Sequence, residues 1–231
     1  MKTALVTGAS RGLGLEYVRQ LAAKGYRVFA ASRQPVEALS TLALDHPDQV
    51  EWLQLDVNDA ASIQAAVAVV AAKTPQLDLL INGAGLGEWI TFGSSEKESF
   101  MAVLETNTVA PLMVTQAFYP LLKAAGSSIV ANMSSLLGSI GHKAELVKGG
   151  YAYSASKAAL NLLTRYMSIE LAEDGIIFAA LSPGWVKTDM GGPEAPLTPT
   201  ESIAGLIAVM EKLTPAMTGR FWHYDGSELP W

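Results

Sequence analysis

Short apolar runs rich in β-branched residues alternate with longer segments of helical pattern along the whole chain of 231 residues. In the longer segments, apolar residues recur at the spacing of a helix that buries one face. Runs that are apolar throughout are typical of parallel strands covered on both sides, and strand–helix alternation with right-handed crossovers builds a doubly wound sheet. The sequence therefore predicts an α/β fold with about seven parallel strands and helices on both faces of the sheet. The predicted strands are residues 3–8, 27–32, 50–55, 77–83, 127–134, 176–183 and 219–224.

We expect one domain spanning residues 1–231. Half of the residues are hydrophobic and 16% are charged, which is enough apolar material for a large core and too much for a disordered chain. No linker rich in proline and glycine, no charge run and no internal repeat divides the sequence.

The composition argues against several classes of function. The formal net charge of −6 argues against a general affinity for nucleic acid or an anionic membrane, since both favour basic surfaces. The chain has no cysteine, which rules out disulfides and cysteine nucleophiles, and its three histidines lack the spacing of metal ligands. The N-terminal apolar run is too short for a signal peptide, and no run is long enough for a membrane span. We therefore expect no metal, no membrane association and a cytoplasmic location.

The first predicted turn carries a phosphate-binding pattern. Gly8, Gly12 and Gly14 lie between a strand and a helix, where a tight turn without Cβ atoms lets N–H groups at the helix start approach a pyrophosphate. A plain glycine-rich turn is the alternative, but the first β-to-α turn of a doubly wound sheet favours a phosphate site. The predicted cofactor-binding residues here are Gly8, Ser10, Arg11, Gly12, Leu13 and Gly14.

The end of the second strand indicates which dinucleotide binds. Enzymes that use NAD normally place an acid there, which bonds the ribose 2′-hydroxyl. This chain has Ser32 followed by Arg33, and Arg11 is available from the glycine turn. Two guanidinium groups can bind a 2′-phosphate that an acid would repel, so the sequence favours NADP(H). A solvated surface charge is the alternative for Arg33.

Two further turns are expected at the same edge of the sheet. Asp56 and Val57 follow the third strand, and the small residues Gly83, Ala84 and Gly85 end the fourth together with Asn82. Each is also an ordinary strand-ending turn. Because ligands bind at the carboxyl edge of such sheets, we assign these residues to the cofactor site.

A tyrosine and a lysine are spaced for one face of a helix. Tyr153 and Lys157 are four residues apart, and a helix advances about 100° per residue, so their side chains share a face. Tyr151 points elsewhere, and the glycines before it favour a helix that begins later. A nearby ammonium favours an ionised phenol, so Lys157 is expected to lower the pKa of Tyr153 toward neutral pH. Without further context, an ordinary surface pair is the alternative.

Five motifs occur in the order seen in the short-chain dehydrogenase/reductase family and span nearly the whole chain: TGASRGLG, NGAG, NMSS, YSASK and PGWVKT. Together they are highly specific, although none is so alone. The segments YAYSASKAALN, PGWVKTDMGG and YDGSELPW most resemble the carbonyl reductase subgroup that includes the C-factor and Sniffer proteins. The resemblance implies a single-domain Rossmann fold and hydride transfer with a nicotinamide cofactor.

The resemblance also implies four catalytic roles. Tyr153 corresponds to the general acid/base that protonates a carbonyl oxygen, and Lys157 to the residue that lowers its pKa and holds the nicotinamide ribose. Ser135 corresponds to the donor that orients and polarises the carbonyl. Asn107 corresponds to a helix asparagine in a water-linked proton relay to the lysine, with a hydrogen bond in a helix kink as the alternative.

The segment after the sixth strand resembles the one that wraps the nicotinamide carboxamide. Its predicted cofactor-binding residues are Pro183, Gly184, Val186 and Thr188. A helix or turn cap is the alternative for Thr188. The segment that follows is short, which indicates an open site.

One stretch departs from the family pattern. Ser135 and Tyr153 are 18 positions apart, which is longer than the family's common spacing. The excess falls in the loop 138–150, which could border the substrate and leaves the choice between Ser134 and Ser135 open. A surface position is expected for His142 and Lys148, with proximity to the substrate as the alternative.

The sequence therefore favours an NADPH-dependent reductase of aldehydes or ketones, acting on a small-molecule carbonyl or alcohol. A dinucleotide-sensing regulator is the second hypothesis, although a sensor does not need the proton path. Another Rossmann-type enzyme, such as a methyltransferase, ranks below both. The sequence leaves open the identity of the substrate and whether the protein forms a homo-oligomer through helix faces.

Overall fold

Seven parallel strands form one sheet in the computed structural model, which describes residues 1–142 and 148–231. The spatial order is β3-β2-β1-β4-β5-β6-β7, and each pair of neighbours runs parallel. This confirms the predicted doubly wound α/β fold, with each strand end within about two residues of its expected position. The strands are β1 Thr3–Thr7, β2 Arg27–Ser32, β3 Val50–Gln54, β4 Leu79–Asn82, β5 Ser128–Met133, β6 Ile176–Ser182 and β7 Arg220–His223.

Helices connect the strands and cover the sheet. A π-helical turn at Glu105–Val109 divides one long helical stretch into two helices, and the helix that carries Tyr153 begins at Tyr151, earlier than the glycines before it led us to expect. The helices are α1 Gly12–Ala23, α2 Glu37–Asp45, α3 Ala60–Ala71, α4 Lys97–Leu104, α5 Ala110–Ala124, α6 Tyr151–Glu170 and α7 Pro199–Lys212. Among the helices of the described residues, none is long and apolar enough to cross a bilayer.

The two faces of the sheet bury separate cores because strand side chains alternate between them. On one face, Ala4 and Val6 of β1 belong to a cluster with Val18 and Leu206, which lie on α1 and α7. On the other face, Leu5 belongs to a cluster that contains residues of α3 and α5, including the fully buried Phe118. Because all seven strands run parallel, their carboxyl ends lie at one edge of the sheet.

Two turns meet where the strand order reverses. β1 pairs with β2 on one side and β4 on the other, so the turns after β1 and β4 lie side by side. A Cβ on Gly8 would lie 2.8 Å from the backbone N and Cα of Ala84. The N–H groups of Gly83 and Ala84 donate to Thr7 Oγ1 at 3.0 and 3.2 Å. The two turns therefore pack backbone to backbone, at the place where ligands bind in such sheets.

Replacing Gly8 by alanine tests this packing, with Gly25→Ala as the matched control. Both glycines have positive φ, +71° and +82°, but a Cβ on Gly25 would meet nothing within 4 Å. Left-handed backbone costs both alanines about 1–2 kcal/mol. Only Gly8→Ala also creates a backbone clash, so it should lower the free energy of unfolding by about 1–3 kcal/mol more. Equilibrium urea unfolding measures both, and equal losses would show that the turns separate without cost.

Candidate active site

A cleft of about 330 Å³ opens at the carboxyl edge, above these two turns. Turns after β1 to β6 and the start of α6 surround it. Within the described residues, no group of three or more histidine, aspartate or glutamate side chains could hold a metal ion. The predicted site residues that line the cleft are Gly8, Ser10, Arg11, Gly12, Leu13, Gly14, Ser32, Arg33, Asp56, Val57, Gly83, Ala84, Gly85, Tyr153, Lys157, Pro183 and Thr188.

Several lining residues were not predicted, yet most adjoin a predicted motif. Asn58 continues the turn of Asp56 and Val57, and Asp189 and Met190 follow Thr188 directly. Tyr17 lies one helical turn after Gly14, so helix periodicity could have identified it. The unpredicted lining residues are Tyr17, Leu55, Asn58, Leu86, Thr106, Met133, Ser134, Asp189 and Met190.

The glycine turn leaves the start of α1 open to an anion. A Cβ on Gly14 would lie 2.2 Å from the carbonyl oxygen of Gly8, so any other residue would push the turn from the helix. Arg11, the N-cap, makes no side-chain capping bond, and the first helical turn has no acidic residue. The helix dipole and the N–H groups at this end thus favour a phosphate.

Two arginines border the cleft and both are exposed. Arg11 Nη1 lies 3.0 Å from Asp189 Oδ2, but both side chains are more than three-quarters exposed, so the pair contributes little stability and can exchange partners. Arg33 follows Ser32, whose Oγ donates to the carbonyl of Gln34 at 2.7 Å and accepts from Trp52 Nε1 at 2.9 Å. The end of β2 therefore presents a guanidinium group and no carboxylate.

Asp56 and Thr188 both stabilise turns. Asp56 Oδ1 accepts from the N–H of Asn58 at 3.0 Å. Thr188 Oγ1 accepts from the N–H of Gly191 at 3.1 Å, which is the turn cap expected as its alternative role. Both residues nevertheless line the cleft, so each positions its turn and stays available to a ligand.

Three predicted cofactor residues lie behind the cleft wall. Asn82 is buried, and its Nδ2 donates to Asn132 Oδ1 at 2.8 Å and Thr115 Oγ1 at 3.1 Å. Val186 is buried, and a Cβ on Gly184 would lie 2.7 Å from Leu197 Cδ1. None of the three residues lines the cleft, so the structure does not place them with the other predicted cofactor residues.

Lys157 is a buried cation beside Tyr153. It is 4% exposed, its Nζ donates to the carbonyl of Met133 at 2.7 Å, and it lies 5.5 Å from the centre of the Tyr153 ring. Burial lowers the pKa of Lys157 to about 8, because the interior disfavours its charged form.

Tyr153 keeps its proton at neutral pH. Burial raises the pKa of its phenol, and a hydrogen bond with Ser135 opposes this in part. The sequence predicted that Lys157 lowers this pKa, but in the structure burial raises it, and the ammonium donates to the carbonyl of Met133. The tyrosine can therefore act as a proton donor.

Ser135, and not Ser134, faces the tyrosine. Ser134 is buried, and its Oγ donates to Asn161 Oδ1 at 2.6 Å. Ser135 caps the 3-10 turn Leu136–Gly138, where its Oγ accepts from the N–H of Leu137 at 3.2 Å, and its side chain also interacts with the Tyr153 phenol. A Cβ on Gly138 would lie 2.7 Å from Lys157 Cβ, so this glycine lets the turn approach α6.

Asn107 lies fully buried in the π-helical turn that divides α4 from α5. Its Oδ1 accepts from the N–H of Leu86 at 2.8 Å, and its Nδ2 donates to the carbonyl of Leu86 at 2.8 Å and to Ser156 Oγ at 3.0 Å. A Cβ on Gly85 would lie 3.4 Å from Asn107 Oδ1 and 3.9 Å from Lys157 Nζ. Asn107 thus joins three elements and lies near the lysine.

The loop 138–150 is described only in part, since residues 143–147 lie outside the described residues. His142 is half-buried, its N–H donates to Ser139 Oγ at 2.9 Å, and Lys148 is exposed. Neither residue lines the cleft. Ser139 Oγ donates to the carbonyl of Pro230 at 2.6 Å, so the C-terminal residues hold the start of this loop.

The chain matches the family model for short chain dehydrogenase over residues 2–196. C-signal of Myxococcus xanthus is 40% identical over 159 residues, covering 68% of this chain and 95% of that protein. Among solved structures, the NADPH bound carbonyl reductase from chicken fatty liver has a TM-score of 0.95 at 39% identity, covering 100% of this chain and 99% of that one. The carbonyl reductase Sniffer of D. melanogaster has a TM-score of 0.92 at 34% identity, with both chains covered in full.

These similarities confirm the resemblance drawn from the motifs, including the subgroup of C-factor and Sniffer proteins. The family match covers most of the chain and the structural likeness covers all of it. The chain belongs to the short-chain dehydrogenase/reductase family of oxidoreductases.

Proposed function

We propose that this protein is an NADPH-dependent reductase that converts aldehydes or ketones to alcohols. The observation that carries the proposal is the arrangement at the cleft edge: a protonated phenol, Tyr153, hydrogen-bonded to Ser135 and adjacent to the buried cation Lys157. This set combines a proton donor, a carbonyl-orienting hydroxyl and a positive charge beside one cleft.

The residues of the cleft fit NADP(H). The tight glycine turn, in which Gly8 and Gly14 leave no room for a Cβ, and the open start of α1 suit a pyrophosphate. Arg11 and Arg33 would hold a 2′-phosphate, and the relative from chicken fatty liver is described as NADPH bound. Pro183 and Thr188 would border the nicotinamide. When bound, the cofactor supplies a hydride.

Tyr153 would protonate the substrate oxygen. As the carbonyl carbon takes up a hydride, its C=O π bond breaks and the oxygen takes the phenol proton, which yields the alcohol. The raised pKa of Tyr153 keeps this proton in place at neutral pH until the oxygen becomes basic. Ser135 would donate to the same oxygen and so orient the carbonyl.

Lys157 and Asn107 would restore the proton. The Lys157 ammonium stabilises the phenolate left after proton transfer, because it lies beside the ring in a buried site where charge interactions are strong. With a pKa of about 8, it can also exchange a proton near neutral pH. Asn107 would position the relay to solvent from its place near the lysine.

Removal of the phenol hydroxyl tests the proton donor. We expect Tyr153→Phe to lower kcat for carbonyl reduction at least 100-fold, because general acid catalysis typically contributes that much. NADPH oxidation at 340 nm, followed on a panel of aldehydes and ketones, measures it. Tyr166→Phe, on the exposed outer side of the same helix, is the matched control. Undiminished turnover in Tyr153→Phe would contradict the mechanism.

A charge reversal at Arg33 tests the cofactor assignment. Arg33→Asp should weaken NADP⁺ binding about 10- to 100-fold, because hydrogen bonds to charged groups contribute about 1.5–3 kcal/mol, and leave NAD⁺ binding unchanged or tighter. Isothermal titration with both dinucleotides measures this. Lys2→Asp makes the same charge change at the opposite edge of the sheet and is the control. An unchanged preference would show that Arg33 does not contact the 2′-phosphate.

The buried ammonium predicts a specific pH dependence of stability. The pKa of Lys157 is about 8 in the folded chain and about 10.4 in an unfolded one, so between these values the unfolded chain binds more protons and stability rises with pH. Lys157→Met removes this group. The wild type should therefore gain about 3 kcal/mol relative to the variant as the pH rises from 8 to 10.5. Urea unfolding across that range measures the difference, and parallel curves would show that Lys157 titrates normally.

A further inference from the structure

Exposed aromatic side chains extend from Tyr153 at the mouth of the cleft. The Trp89 ring centre lies 5.4 Å from that of Tyr153, with the planes tilted by 47°, and the Phe92 ring centre lies 6.2 Å from that of Tyr151. Trp89, Phe92 and Tyr151 are 45%, 88% and 49% exposed. We call these three residues the aromatic wall. Exposed apolar surface of this kind, next to a reacting group, is typical of a site that binds a ligand.

Two glycines hold Trp89 in this position. A Cβ on Gly150 would lie 2.9 Å from Trp89 Cζ3, so the ring rests where a side chain would otherwise stand. The N–H of Ile90 donates to the carbonyl of Gly149 at 2.9 Å, and Gly149 has φ of +81°. The segment after β4 is therefore docked on the start of α6, which places Trp89 beside the tyrosine.

The neighbouring part of the mouth is apolar as well. Leu86 and Met190 line the cleft and are both 44% exposed. A Cβ on Gly87 would lie 3.1 Å from Met190 Cγ, so the segments after β4 and β6 touch there. A substrate whose oxygen reaches Tyr153 would thus place its remaining atoms against apolar surface.

We propose that the substrate carries a planar aromatic ring bonded directly to its carbonyl carbon, and that Trp89 selects it. This inference rests on the proposed reductase function. The ring centres of Trp89 and Tyr153 are only 5.4 Å apart. When the carbonyl oxygen lies at the Tyr153 hydroxyl, a ring on the carbonyl carbon is therefore within reach of Trp89. Tilted or offset aromatic rings attract each other beyond the burial of their area, whereas a puckered saturated ring cannot stack on Trp89 in this way.

Such a substrate is reduced by the same hydride and proton transfers as in the proposed function. A hydride adds to the carbonyl carbon, the Tyr153 proton goes to the oxygen, and the product is a benzylic alcohol. The ring itself is unchanged, so Trp89 acts by binding and positioning.

Two aldehydes of nearly equal size test the selection: benzaldehyde, which is planar, and cyclohexanecarbaldehyde, which is puckered. The measured quantity is the ratio of their kcat/KM values with NADPH. Comparing this ratio between wild type and variants cancels the intrinsic reactivity of the aldehydes. We expect Trp89→Ala to lower the ratio of benzaldehyde to cyclohexanecarbaldehyde about tenfold, and Trp89→Phe to stay within about twofold of wild type.

Tyr166→Ala is the control, since Tyr166 is a 62% exposed aromatic residue on the same helix but outside the wall and the cleft. Its ratio should equal that of wild type. If Trp89→Ala turns over both aldehydes with an unchanged ratio, the inference is wrong and the reductase function stands. If wild type turns over neither these aldehydes nor any other carbonyl, the proposed function fails and the inference fails with it. NADP⁺ binding by each Trp89 variant shows that it is folded.

Discussion

The close approach of two backbone turns is the constraint on which the rest of the site depends. The turn after β1 and the turn after β4 touch through Gly8 and Ala84, and Gly14 keeps α1 close behind. This contact forms the floor of the cleft. The same segment after β4 then continues to Leu86, which Asn107 binds, and on to Trp89. This packing contact thus positions the glycine turn and, through the segment that follows β4, the aromatic wall.

A buried charge is the second element of the site. An ammonium in the interior is unfavourable unless it is hydrogen-bonded, and here one carbonyl, that of Met133, accepts from Lys157. Burial lowers the lysine pKa to about 8 while it raises that of Tyr153 above its ordinary value, so the two pKa values move apart. At neutral pH the phenol therefore keeps the proton that it would transfer, and perturbed pKa values of this kind are frequent at active sites.

Local patterns predicted the parts of the site that depend on spacing. The four-residue interval of Tyr153 and Lys157 and the glycines between β1 and α1 each specify a geometry within one element, and the structure has both in the cleft. The direction in which a side chain turns was harder to predict. Asn82 ends a strand at the correct edge, yet its amide binds Asn132 and Thr115, because buried amides require partners and those are nearest. The phenol pKa also differed from the expectation, because burial raises it and the Lys157 ammonium donates to the carbonyl of Met133 in β5.

By itself, the sequence determined the order of strands and helices, the glycine turn between β1 and α1 and the pairing of Tyr153, rather than Tyr151, with Lys157. Apolar periodicity, glycine placement and helical spacing act between near neighbours, so they can be read without the fold. Only the tertiary structure decided between Ser134 and Ser135, placed Asn107 in a π-helical turn and placed Trp89 beside Tyr153. Each of these depends on contacts between segments far apart in the chain, and no local pattern specifies which of those segments will meet.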